Sequence, residues 1–175
     1  MAAQDNRAQP RAKRFDREVD GILLLDKPPG ATSNSALQQA RVIFRALKAG
    51  HTGTLDPMAS GMLPICFGQA TKVSAYLLAA TKRYRFVARL GVRTDTGDAT
   101  GRVVEELPVP LLTTSTLLTV LAARAGAQQQ VPPMYSALKY RGQRLYELAR
   151  RGESVERSAR SIHIDTLTLN AFDGA

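Results

Sequence analysis

The stretch AGHTGTLDPMASGMLP, residues 49–64, sets one acid, Asp56, and one histidine, His51, among Gly50, Gly53, Gly61, Pro57 and Pro64. A carboxylate can attack as a nucleophile or take up a proton, and the stretch holds no second acid and no cysteine with which to build a metal site. Asp before Pro is also an ordinary opening for a type I turn, and on local grounds that reading outweighs catalysis. It leaves the glycines unexplained. They let backbone and a bulky partner come close around an acid whose own conformation Pro57 restricts. The loop reads as built to present a carboxylate. Hydrolysis of a glycoside needs two carboxylates, one to protonate the departing alcohol and one to support attack. One carboxylate suffices when the departing base stays in the site and is recaptured, so that water is not a reactant.

Other chemical motifs fail on spacing. Gly68-Gln-Ala-Thr-Lys72 lacks the first glycine and the Lys-Ser/Thr order of a phosphate-binding loop. Asp95-Thr-Gly-Asp-Ala-Thr-Gly101 puts Gly97 at the third position and Thr100 at the sixth, so a calcium loop lacks its second ligand and its turn glycine. No Gly-x-Ser-x-Gly elbow occurs. One cysteine, Cys66, and two histidines, His51 and His163, exclude a disulfide framework and the familiar zinc spacings, so no metal is expected.

Twenty-four Lys and Arg against fifteen Asp and Glu leave a net charge of +9, which points to a polyanionic partner, although many small basic proteins are charged for solubility alone. At 175 residues the chain suits one ordinary domain with its own core. Neither a signal-peptide core nor a membrane-length apolar run is present, so a protein of the cytoplasm with no membrane contact is expected. Residues 1–17 carry Arg7, Arg11, Lys13, Arg14 and Arg17 against Asp5 and Asp16 and almost nothing to bury. A basic flexible tail is expected over 1–19, with the domain over 20–175.

The elements that must position Asp56 follow from pattern. GILLLDKPPG, 21–30, predicts a buried strand stopped by Pro28, Pro29 and Gly30. A capping box at Ser35 to Gln38 predicts a helix over 36–48 with Leu37, Ala40, Phe44 and Leu47 inward. A second helix is predicted over 71–80, with Val73, Tyr76, Leu77 and Ala80 inward. TKRYRFVARLGV, 81–92, alternates as a strand, with Tyr84, Phe86, Ala88, Leu90 and Val92 on one face and Arg83, Arg85 and Arg89 on the other. It is expected to form a long-looped hairpin with 102–106 across the polar turn 93–101. Helices near 115–125 and 143–151, the latter stopped by Gly152, and a strand over 161–170 bulged near Thr166 complete the set. The fold class is α+β, a mixed, mainly antiparallel sheet flanked by helices.

GILLLDKPPGATSN, AGHTGTLDPMASGMLPICFGQATK, TKRYRFVARLGVRTDTGDATG and VPPMYSALKYRGQRLYELARRG resemble, in order and spacing, the bacterial TruB family of tRNA pseudouridine-55 synthases from Gly21 to about Leu169. The resemblance implies an incomplete pseudouridine synthase-like catalytic domain. Its reaction isomerises uridine to pseudouridine in the TΨC loop of tRNA, without cofactor or metal, in a monomer. It makes Asp56 the catalytic residue, whether it attacks C1′, attacks the base or takes a ribose proton. Tyr84 becomes the aromatic that stacks on a flipped uracil, with a core position on its strand as the competing reading. His51 becomes the contact to RNA at the vacated place. Lys27 and Pro28 become supports of the active-site loop, a buried lysine needing a partner. Arg93, Asp95 and Asp98 fall in a further loop near the site, where a solvated turn explains them almost as well. Seven basic residues between Lys139 and Arg160 offer a phosphate-contacting surface, with an ordinary solvated helix equally weighted.

The family's Lys-Gly-Thr-Tyr-Ile-Arg-like strand, whose arginine pairs with the aspartate, and its C-terminal RNA-binding domain are not in the chain. The expectation is an N-terminal part of a synthase, weakly active or inactive alone, with an exposed sheet edge and apolar surface. The rival is a non-catalytic tRNA-binding or RNA-chaperone fragment, which tolerates Asn at position 56.

Overall fold

A computed structural model describes residues 15–173. The chain divides into two compact units, 1–84 and 85–175. Among the described residues the ladders are all antiparallel and helices accompany them, as an α+β class requires, with the strands spread over one three-stranded and three two-stranded sheets.

In the first unit, strand β1 (Gly21–Lys27) forms from the apolar run and ends where Pro28 removes the next donor. The chain then enters helix α1 (Ser33–Phe44), strand β2 (Ala49–His51) and strand β3 (Gly61–Phe67). β3 is central: it pairs with β1 from Gly21 opposite Phe67 to Lys27 opposite Gly61, and with β2 from Ala49 opposite Phe67 to His51 opposite Ile65. Pro64 hides this strand from sequence reasoning, because proline is ordinarily excluded from a sheet centre. Its carbonyl accepts the Thr52 N–H at 3.1 Å, so its missing N–H faces the β2 side, where the regular strand ends at His51, and the β1–β3 ladder on the other side does not need it.

One sheet face packs Leu23, Leu25, Ile65 and Phe67 against Leu37 and Ala40 of α1 and against Ala46. The large buried side chains, Leu37, Ile65 and Phe67, each stabilise the unit by about 1.5–3 kcal/mol. Cys66, also in β3, is fully buried, and that burial pushes its thiol above the usual range. On the outer face Ile22, Leu24 and Met62 are exposed, and the far edge of β1 has no ladder partner among the described residues.

The first helix begins earlier than the sequence predicts. Thr32, not Ser35, is the cap, its hydroxyl accepting the Ser35 N–H at 3.0 Å. It also ends earlier, because Arg45 adopts the left-handed conformation (φ 53°) and donates its N–H to carbonyls of the last turn. Leu47, expected inward on a continuing helix, is therefore exposed, while Phe44 still meets Phe67 with ring centroids 5.1 Å apart. Of the tail expected over 1–19, residues 1–14 lie outside the described residues. Beyond them the Asp16 and Arg17 N–H groups donate to the Arg45 carbonyl, and Phe15 lies under the Arg41 guanidinium.

The predicted helix over 71–80 is a 3-10 helix, Gly68–Val73, followed by α2 (Ser74–Ala79). Neither buries a residue: Val73 and Tyr76, expected inward, are exposed. The strand predicted over 81–92 is absent up to Leu90. Alternation supplies two faces, but a strand exists only where a neighbour accepts its hydrogen bonds, and no described residue pairs there. Both faces stay in solvent, with Val87 98% exposed.

In the second unit the long-looped hairpin forms from β4 (Val92–Thr94) and β5 (Val103–Glu106). Helix α3 (Thr114–Ala122) is capped by Thr113, which accepts the Thr116 N–H. Strand β6 (Gly126–Gln130), which the sequence did not reveal, pairs with β9 (Arg160–Ile164). The ladder stops at Ile164, so there is no strand at Thr166 to bulge. A small hairpin, β7 (Lys139–Tyr140) and β8 (Gln143–Arg144), turns through Arg141 and Gly142, both with positive φ. Helix α4 (Leu145–Arg150) buries Leu145 and Leu148, and Gly152 (φ 77°) follows its end.

Candidate active site

Asp56 is exposed on the loop between β2 and β3. Its carbonyl accepts the Ala59 N–H at 3.0 Å, so Asp-Pro does open a turn, and that turn lifts the carboxylate into solvent. No Lys or Arg among the described residues lies within ion-pair distance of it. Gly53, upstream, has φ 147°, a conformation essentially closed to other residues, and bends the chain out of β2.

The residues on both sides of Asp56 are held. On its C-terminal side the Pro57 carbonyl accepts the Gly30 N–H at 2.7 Å and the Lys27 ammonium at 3.5 Å. Lys27 is 0% exposed, and its ammonium also donates to the carbonyls of Pro28 (3.0 Å) and Ala31 (2.7 Å). The partners of this buried lysine are thus backbone dipoles, three carbonyls that tie the Pro28–Pro29–Gly30 turn to the Asp56 turn. Gly30 (φ 84°) is the bend that points its N–H at Pro57. On the N-terminal side the Ser33 hydroxyl donates to the Leu55 carbonyl at 3.1 Å and accepts the Leu55 N–H at 2.9 Å. Sequence reasoning missed Ser33. Its signal was a hydroxyl beside Thr32 that the helix cap does not need.

His51 ends β2 rather than standing in a loop. It is half-buried, and its Nδ1 is enclosed with no hydrogen-bond partner among the described residues. Tyr84 is 65% exposed in an irregular segment, which removes the core reading of this side chain.

Arg93, Asp95 and Asp98 belong to the second unit, where each closes the β4–β5 hairpin. Arg93 Nε meets Glu105 at 2.8 Å, and Asp95 accepts the Arg102 N–H at 2.9 Å. The Asp98 carboxylate accepts the Thr100 hydroxyl (2.6 Å), the Thr96 hydroxyl (2.8 Å) and the Thr100 N–H (2.8 Å), with the Thr100 hydroxyl foremost in holding its carboxyl below the usual range.

Such an arrangement can present one carboxylate, fixed in its backbone and free in its head, on the loop that leaves the strand ending at half-buried His51. Residues 41–175 match the family model described as TruB family pseudouridylate synthase (N terminal domain). The chain is similar to the tRNA pseudouridine synthase B of Methylococcus capsulatus, 60% identical over 86% of this chain and 67% of that protein. It is similar to the proteins of the same name from Chromohalobacter salexigens (57% identical, 90% of this chain, 51% of that one) and Shigella boydii (54% identical, 94% and 52%). The chain therefore spans about half the length of the latter two. Among solved structures it resembles a chain of a Cbf5-Nop10-Gar1 complex, 26% identical over 81% of this chain and 32% of that one, with a TM-score of 0.48.

Proposed function

The chain belongs to the TruB family of pseudouridylate synthases, and from that premise we propose that it is the catalytic part of a tRNA pseudouridine synthase acting on the TΨC loop. The observation that carries the reading is Asp56, an exposed carboxylate on a turn whose flanking residues, Leu55 and Pro57, are both pinned through their backbone.

The conversion is an isomerisation. The N1–C1′ bond of uridine breaks, the base turns, C5 bonds to C1′, the C5 hydrogen leaves as a proton and N1 takes one up. Asp56 supplies the reacting carboxylate, at C1′, at the base or at a ribose proton. A base in an RNA loop must be extruded to reach it, at a cost of a few kcal/mol. Tyr84 offsets part of this by stacking on the extruded uracil, a contact of about 1–3 kcal/mol, and His51 contacts RNA at the vacated place. Lys27 and Pro28 shape the loop that carries Asp56. The excess positive charge holds the phosphate backbone, so binding weakens with salt. The protein works as a cytoplasmic monomer.

The test is release of tritium to water from tRNA carrying 5-tritiated uridine, using the full encoded product that contains this chain. Asp56→Asn abolishes release and leaves tRNA affinity within about twofold. Full release by Asp56→Asn, or none from the unmodified protein, overturns the assignment.

A further inference from the structure

Ser33 is 2% exposed and begins α1, where a hydroxyl ordinarily serves the helix. Here the helix does not use it. Thr32 already accepts the Ser35 N–H as the cap, and the Ser33 hydroxyl turns away to residue 55, 22 positions along the chain. It donates its one hydrogen to the Leu55 carbonyl and accepts the Leu55 N–H, satisfying both polar groups of a residue that belongs to no ladder. Leu55 immediately precedes Asp56, and the Pro57 carbonyl on the other side is tied to Gly30 and Lys27.

We propose that Ser33 is a positioning residue that, from inside α1, sets the direction of the Asp56 side chain by holding both backbone polar groups of the preceding residue, Leu55. The proposal rests on Asp56 being the reacting carboxylate. Alanine can neither donate nor accept, so it releases the N-terminal side of Asp56 while Lys27 and Gly30 keep the other. A displacement of about 1 Å at a reacting group costs about 100-fold in rate.

The experiment pairs turnover with amide exchange in the full encoded product. In Ser33→Ala, kcat for tritium release falls about 10- to 100-fold with KM and tRNA affinity within about twofold. The Leu55 amide exchanges at least about tenfold faster while those of Leu23 and Leu63 in the β1–β3 ladder do not change. Ser33→Thr, which keeps the hydroxyl, restores Leu55 protection and most of kcat.

An unchanged kcat in Ser33→Ala, or faster exchange spread equally over the ladder, overturns the proposal. Absence of turnover in the unmodified protein overturns the reading of Asp56 and this proposal with it. The two failures are told apart because the Leu55 exchange contrast needs no substrate.

Discussion

The Lys27 ammonium lies 3.5 Å from the Pro57 carbonyl, so the end of β1 and the turn that carries Asp56 share one buried positive charge. No carboxylate among the described residues neutralises it, and carbonyl dipoles do the work of a counter-ion. A lysine so placed is a stake driven between two loops.

Lys27→Met keeps the length of the side chain and removes the charge. Two carbonyls, of Pro28 and Ala31, lose that donor, while Pro57 keeps the Gly30 N–H. Relief from burying a charge offsets part of the loss. The net expected cost is about 2 kcal/mol, read from urea unfolding, with faster amide exchange at Gly30 and Ala59. A midpoint equal to that of the unmodified protein contradicts the stake.

Tyr84→Ala separates stacking from folding. The ring is 65% exposed, so stability changes by no more than about 0.5 kcal/mol. Affinity for tRNA falls about 5- to 150-fold, the equivalent of one lost stacking contact, and Tyr84→Phe retains it. Filter binding at fixed salt decides; an Ala variant that binds as tightly as Tyr removes this residue from the RNA contact.

Gly53→Ala isolates backbone strain from crowding, since an added Cβ there meets nothing within 4 Å while φ stands at 147°. A loss of about 1–3 kcal/mol in stability is expected from strain alone. A neutral substitution shows that the turn relaxes without cost.

Acid tests the β4–β5 loop. Asp98 is held below the usual carboxylate range, first by the Thr100 hydroxyl, so its contribution is complete above the unfolded-state value of about 4 and is lost as pH falls through the lower folded-state value. The Thr100 amide resonance should titrate with a midpoint below that of an ordinary aspartate, and Asp98→Asn should abolish the transition. A midpoint at or above the ordinary value refutes the hydrogen-bonded assignment.

What the sequence disclosed was what short-range chemistry controls. Pro28 after an apolar run, Asp56 before Pro57, the 92–106 hairpin and Gly152 after α4 all stand where local rules put them. Segments governed by neighbours far along the chain did not yield. The alternation at 81–90 finds no strand to pair with among the described residues, and β3 was masked by a proline whose missing N–H faces the side where β2 stops at His51. Thr32 and Ser35 are equally good caps in isolation, and the choice between them is what frees Ser33 for Leu55. Asp56 was singled out by its glycine-lined loop and Lys27 by resemblance; of the three carbonyls around Lys27, those of Pro28 and Ala31 are local and only that of Pro57 is a tertiary contact.

Cys66, sealed in β3 with a thiol that resists ionisation, gives the chain a chemically silent background. A cysteine introduced at exposed Met58 would be the one thiol a maleimide dye reaches, so a fluorophore beside the Asp56 turn could report RNA arrival in real time without first deleting a native residue.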